Sequence, residues 1–232
     1  MDTIAEASGR AFWLLISGDR ELWGIIAVSF QVSAAAIVVT APLGLLLAFV
    51  LAYTRFPGQR PLVSALQSLQ AVPAVVVGLA VYMLLSRSGP LGELRLLFTQ
   101  TAMVVGQILL GFPLLLAMSH AALAGADRRA WETARTLRAP RWQAMLTVMR
   151  EVRFGLLAAV IAAFARVIAE VGAAIMLGGN IQYVTRNITT AIALETSKGE
   201  YAQGIALGVV LLAIALGLNF ALGIVQGKGT MQ

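Results

Sequence analysis

The sequence predicts an all-α fold: a polytopic membrane bundle of five transmembrane helices, with one charged segment between the third and the fourth. Three observations carry this. The 232 residues are 59% hydrophobic and 12% charged, with a mean hydropathy of +0.84, whereas a soluble domain is about half apolar and about a quarter charged. Four intervals free of Asp, Glu, Lys and Arg, at 22–54, 61–86, 96–126 and 201–227, each exceed the roughly 20 residues that carry a helix across the hydrocarbon core. Few segments alternate as strands do, and backbone groups in lipid must bond within their own segment, which favours helices over a barrel.

Residues 11–23 combine Phe12, Trp13, Leu14, Leu15 and Ile16 with Asp19, Arg20 and Glu21. They are too short to cross a bilayer and read as an interfacial helix within an extracytoplasmic segment 1–22. The segment lacks the basic start and small-residue cleavage site of a signal peptide, so the first span is expected to insert uncleaved. That span runs over 24–53, the second over 62–86 and the third over 99–124. Pro42, Pro73 and Pro113 fall one in each and are expected to kink it. Gln31, Ser33, Gln67, Gln70 and Gln107 are polar points for interhelical bonds or pathway lining, and His120 falls near the cytoplasmic end of the third span, at the interface.

A fourth span, 156–177, is interrupted only by Arg166 and Glu170, which share a helix face at i, i+4 spacing. Intramembrane charges are functional hypotheses by default. Two readings stand: a translocation path or gate, in which Arg166 attracts a passing anion and Glu170 limits its hold, or an internal ion pair that packs the helix. Gly172, Gly178 and Gly179 allow close backbone approach, and the Gly179-Asn180 pair is suited to end the helix, with Asn180 in a left-handed conformation. The fifth span, 201–225, carries Gly204 and Gly208 as a small-residue packing face. Residues 227–232 are expected to form a flexible cytoplasmic tail.

Five spans place the termini on opposite sides. Arg55, Arg60, the seven arginines between 128 and 153, and Lys228 outnumber Arg10, Arg20, Arg87, Arg95, Arg186 and Lys198 on the other side, ten to six. The richer side is assigned to the cytoplasm, with the N-terminus outside. The formal charge of +6 is thereby concentrated beside the membrane, without the exposed aromatics of a nucleic-acid surface.

The chain has no cysteine and one histidine, which removes disulfides, thiolate metal sites and His-rich metal centres and leaves little scope for acid–base catalysis. A hydrolase would have to rest on His120 and a neighbour such as Ser119. The tail sequence with Gly223, Gly227, Lys228 and Thr230 departs from a phosphate-binding loop in spacing and hydroxyl position, and it follows a membrane helix rather than a buried strand. A self-sufficient secondary transporter would show an inverted repeat with paired broken helices, and no second half is visible.

The segment 125–155 is too long for a bundle connection, which usually takes about 2–8 residues. It reads as helical, with Asp127 as N-cap ahead of Trp131, Ala134 and Leu137. Physical chemistry alone leaves it as either a solvated amphipathic helix or a docking element. Glu132, placed in the first turn, would be favoured there by the helix dipole.

Residues 132–142, Glu-Thr-Ala-Arg-Thr-Leu-Arg-Ala-Pro-Arg-Trp, resemble the EAA loop of ABC importer permeases. Thr133 replaces an alanine of that motif, Arg138 stands where it has glycine, and Val148, Met149, Arg150 and Glu151 replace its Ile-x-Leu-Pro end. With Arg138 in the glycine position, Pro140 becomes the expected stop of the helix. Further matches are Ala169-Glu170-Val171-Gly172-Ala173, Leu177-Gly178-Gly179-Asn180-Ile181, residues 189–199, residues 17–23 and residues 86–92. Over about residues 12–226 the chain resembles type I (MetI-like) ABC importer permeases. It is most similar to the permease subunits of tungstate importers, with molybdate and sulfate permeases as relatives.

The resemblance implies a homodimer in a prokaryotic cytoplasmic membrane with the pathway between its two copies. It also implies a separate cytoplasmic ATPase subunit, an extracytoplasmic oxyanion-binding protein, and no cofactor or metal in this chain. Glu132, Thr133, Ala134, Leu137, Arg138 and Trp142 would couple to the ATPase, with Trp131 as a further apolar anchor. Arg166, Glu170 and Asn180 are the pathway or gate candidates, with a capping role favoured for Asn180.

Overall fold

The computed structural model describes residues 13, 14 and 16–230. Among these the fold is helical throughout. Its elements are α1 (Arg20–Tyr53), α2 (Gln59–Leu69), α3 (Ala74–Leu85), a 3-10 turn (Gly92–Leu94), α4 (Gln100–Ala124), α5 (Arg128–Thr136), α6 (Arg141–Glu151), α7 (Arg153–Ile168), α8 (Gly172–Gly178), α9 (Ile188–Lys198) and α10 (Tyr201–Thr230). α1, α4 and α10 are each long and apolar enough to cross a membrane, and the pairs α2/α3 and α7/α8, bent by 96° and 62°, have the combined length and composition of a broken span or a re-entrant loop.

Of the interfacial segment expected over 1–22, residues 1–12 and 15 lie outside the described residues; Trp13, Leu14 and Ile16 are helical, Ser17 and Gly18 form a turn, and Arg20 opens α1, whose first turn is capped by Asp19 Oδ1 accepting from Leu22 N at 2.8 Å. Two expectations about the spans are corrected. The second span is two helices, because Pro73 lacks an N–H, restricts Val72 before it, and sits extended (φ −61°, ψ 133°) as the N-cap of α3. Pro42 and Pro113, by contrast, lie inside unbroken helices. The fourth span is also two helices, interrupted at Glu170. The tail expected to be flexible continues α10 to Thr230, since no proline or cap intervenes; residues 231 and 232 lie outside the described residues.

The helices divide into two compact units. The first takes the chain through Ala36, Val72–Leu110 and Ala165–Gly217; the second takes Ile37–Ala71, Gly111–Phe164 and the chain from Leu218. In the first unit, Leu22, Ile25 and Ile26 pack with Ile188, Ala191, Ala206 and Leu207, while Val81, Leu85, Ala102 and Leu177 form a second cluster. In the second unit, Ala48, Phe49, Ala52, Leu116, Leu123, Val148 and Leu156 form the core. Val38, Val39, Leu43, Leu212, Leu216 and Phe220 are exposed, as faces that meet lipid or another helix must be.

Candidate functional site

In the second unit, the charged segment 125–155 folds as the helix pair α5 and α6. Asp127 accepts from Arg129 N at 2.9 Å and caps α5, as its sequence position predicts. α5 begins at Arg128, so Glu132 lies beyond its first turn. Asp127, not Glu132, complements the helix dipole, which corrects the expectation for Glu132.

Trp131 turns inward, its ring centroid 5.6 Å from that of Phe49 and 5.3 Å from that of Tyr53, and Phe49 and Tyr53 stack at 4.7 Å. It fixes the helix to its own unit rather than serving as an exposed anchor. Helical periodicity identifies an apolar position but cannot say which apolar position faces inward.

The turn after α5 is also corrected. Leu137 ends the helix and Arg138 itself takes the left-handed conformation, φ 60°. Arg138 N donates to Arg135 O at 3.1 Å and Ala139 N to Ala134 O at 3.0 Å, the two bonds of a Schellman motif. Arg135 Nη1 donates to Ala139 O at 2.9 Å and closes the turn. Pro140 does not stop α5; it is the N-cap of α6. The sharp turn of the glycine-bearing motif is therefore kept, with a Cβ in an unfavourable region. Arg138→Gly is expected to stabilise the protein by about 1 kcal/mol, read as a rise of about 2–4 °C in Tm of the solubilised protein.

Glu132 and Thr133 are exposed and Ala134 is half-buried. Leu137 is 77% and Trp142 58% exposed. With the exposed guanidinium of Arg138, the helix pair presents a carboxylate, a cation and two large apolar side chains on its surface.

In the first unit, the break between α7 and α8 is organised by Glu170. Its Oε2 accepts from Arg166 Nη1 at 2.8 Å; its Oε1 accepts from Gly172 N at 2.8 Å and Ala173 N at 3.4 Å. The carboxylate is thus both ion-pair partner and cap of the next helix. The Glu170 side chain is 9% exposed and that of Arg166 40%. Gln107 Nε2 donates at 3.3 Å to Val167 O, which also accepts from Glu170 N at 3.2 Å.

The backbone oxygen of Glu170 also accepts from Thr189 Oγ1 at 2.8 Å, and that hydroxyl lies 3.0 Å from Asn187 Oδ1. Asn187 caps α9 by accepting from Thr190 N, with Thr190 Oγ1 returning the bond in a capping box. Ile188 N donates to Ser29 Oγ at 2.7 Å. Asn180 is left-handed (φ 51°), follows the C-cap Gly179 and donates through Nδ2 to Thr190 O at 3.3 Å. It is joined to Glu170 only through α9 and makes no direct contact with Arg166 in this hydrogen-bond network. Sequence reasoning missed Ser29, Asn187 and Thr189; the Asn187-x-x-Thr190 spacing was the available signal.

Among the described residues no group of three His, Asp or Glu is placed to hold a metal ion. Ser119 Oγ is buried without a hydrogen-bond partner, so no Ser119–His120 dyad is formed.

Residues 40–228 match the family model of the binding-protein-dependent transport system inner membrane component. The tungstate uptake system permease protein TupB of Peptoclostridium acidaminophilum is 40% identical over 94% of this chain and 96% of that protein. The TupB of Campylobacter jejuni is 38% identical over 95% of this chain and 92% of its own length. Among solved structures, a bacterial alginate ABC transporter in complex with an alginate pentasaccharide-bound periplasmic protein shares the fold. Its TM-score is 0.68 at 20% identity, over 90% of this chain and 80% of that one.

Proposed function

The chain belongs to the family of binding-protein-dependent transport system inner membrane components, and from this we propose that it is the membrane-spanning subunit of an ATP-driven importer of tungstate. The observation that carries the substrate is the 40% identity to a tungstate uptake permease over 94% of the chain. Hydrolysis belongs to a separate cytoplasmic ATPase, which seats the α5/α6 pair through Glu132, Thr133, Ala134, Leu137, Arg138 and Trp142. An extracytoplasmic binding protein delivers the oxyanion and supplies most of the selectivity. Five spans are too few to enclose a path for a hydrated dianion, so two copies form it between them. Arg166 and Glu170 lie on that path, and the hinge between α7 and α8 moves as it opens. The chain itself holds no cofactor.

The arginine-rich α5/α6 segment lies inside and the N-terminus outside. Because the chain is cysteine-free, single cysteines report this without background. Trp142→Cys is expected to react with an impermeant maleimide only in opened cells, and Tyr183→Cys in intact cells; the reverse pattern would invert the topology. Substrate identity is read by competition: unlabelled tungstate is expected to suppress labelled tungstate uptake at lower concentration than molybdate or sulfate. Molybdate or sulfate competing more strongly would reassign the oxyanion.

A further inference from the structure

At the break between α7 and α8, each hydrogen bond of the bent form has a replacement in a straight one. Gly172 N and Ala173 N bond to Glu170 Oε1, and the Glu170 carbonyl accepts from Thr189 Oγ1 at 2.8 Å. In a continuous helix the same groups follow the i to i−4 rule: Gly172 N passes to Ile168 O, Ala173 N to Ala169 O, and Glu170 O accepts from Ala174 N. Arg166 and Glu170 stay on one face in both forms, being four residues apart. Val167 O has two lone pairs, so it can hold Gln107 Nε2 beside a backbone donor throughout.

Straightening therefore releases one group from another helix, the hydroxyl of Thr189. It carries a single proton and stands between two acceptors, Glu170 O at 2.8 Å and Asn187 Oδ1 at 3.0 Å. Released from the first, it turns to the second. The residue is 4% exposed, where an unpaired hydroxyl is costly.

The second acceptor is fixed. Asn187 Oδ1 accepts from Thr190 N at 2.9 Å within the capping box of α9, and Ile188 N donates to Ser29 Oγ of α1 at 2.7 Å. α8 is fixed on α3 by close approach: a Cβ on Gly78 would sit 2.8 Å from Ala173 Cα, and one on Gly172 2.6 Å from Val75 Cγ2. The end of α7, from Ala165 to Ala169, has no such anchor on its carbonyls beyond Gln107.

We propose that Thr189 is a positioning residue that sets the balance between the bent and the straight form of α7/α8, by passing its proton's hydrogen bond between Glu170 O and Asn187 Oδ1. The inference deepens the reading of that hinge as a moving part of the import path, and rests on it. A purely structural bond needs one acceptor. A second acceptor 3.0 Å away, on a helix that stays in place, suits a contact made and broken in each cycle. Thr189→Val keeps the shape and removes the donor. The bent form then holds Glu170 O buried without its partner, while the straight form pairs that carbonyl with Ala174 N and leaves Asn187 Oδ1 bonded to Thr190 N, so the variant favours the straight form.

The test uses the full chain assembled with its ATPase and spin-labelled through Leu157→Cys and Ile175→Cys, two exposed positions of a cysteine-free sequence. They lie about 27 Å apart along a continuous helix and closer across the 62° bend. Thr189→Val is expected to raise the population of the longer distance about ten-fold relative to the shorter, and to alter tungstate uptake. Thr189→Ser, which returns the hydroxyl, is expected to restore both. A distance distribution in Thr189→Val identical to that of the labelled parent overturns the proposal, even where Tm falls. So does a serine variant that behaves as the valine one. A labelled parent whose distance is the same with and without ATP overturns the moving-hinge reading, and the proposal with it.

Discussion

Glu132→Arg is expected to detach the permease from its ATPase and to abolish ATP-driven uptake. Glu132 is exposed on α5 and contributes nothing to the cap, which Asp127 makes. The charge reversal therefore leaves the helix pair folded while placing a cation where the partner is expected to present one. A reversed charge at an interface centre costs docking about 3 kcal/mol, roughly a hundred-fold in affinity. Co-purification of the ATPase should be lost and the solubilised permease should keep its wild-type Tm. Leu137→Ala, which removes a side chain 77% exposed in the free protein, should weaken the complex in the same direction and less. Normal co-purification with normal uptake in Glu132→Arg would remove the docking role.

The second large effect is at Glu170, where two substitutions separate the cap from the charge. Glu170→Ala removes the acceptor of Gly172 N and Ala173 N together with the partner of Arg166. It is expected to destabilise the protein by about 3 kcal/mol, at the lower end for breaking a buried pair because Arg166 keeps solvent access. Glu170→Gln keeps an oxygen for the two N–H groups and loses only the ion pair, at a cost of about 1 kcal/mol. Thermal unfolding of the solubilised protein reads both. Uptake then distinguishes the two roles. If the pair only packs the hinge, Arg166→Gln with Glu170→Gln should transport tungstate with wild-type kinetics. If Arg166 instead offers a charge to the passing anion, as proposed, that variant should show altered uptake at normal expression.

The helical class, the apolar segments, the charged segment and its Asp127 cap were legible in the sequence because each is signalled locally, by hydropathy, charge density or a capping side chain. So was the left-handed Asn180 at the end of α8. Which proline breaks a helix was not legible. Pro42 and Pro113 stay inside continuous helices, whereas the segment before Pro73 becomes the separate helix α2, which has no fully buried residue and packs through Leu66 against the second unit's core.

The role of Glu170 was only half legible. Its i, i+4 relation to Arg166 identified the pair correctly, yet that spacing is equally compatible with an unbroken helix, and only the fold shows the second oxygen capping α8. Trp131 and Trp142 are alike as sequence signals; one packs on Phe49 and Tyr53 and the other is 58% exposed, a difference set by where α5 lands on its unit. The Arg138 turn was missed because glycine preference is a tendency of the isolated backbone, and the bonds from Arg138 N and Ala139 N outweigh it.

As proposed, this chain carries an oxyanion only when a separate ATPase drives it. The most direct measurement is uptake of labelled tungstate into proteoliposomes holding the permease and its ATPase, with the binding protein outside and ATP inside. Accumulation above the external concentration that requires ATP, the ATPase and the binding protein together is the predicted result. Accumulation by the permease alone, or none with all three present, would contradict it.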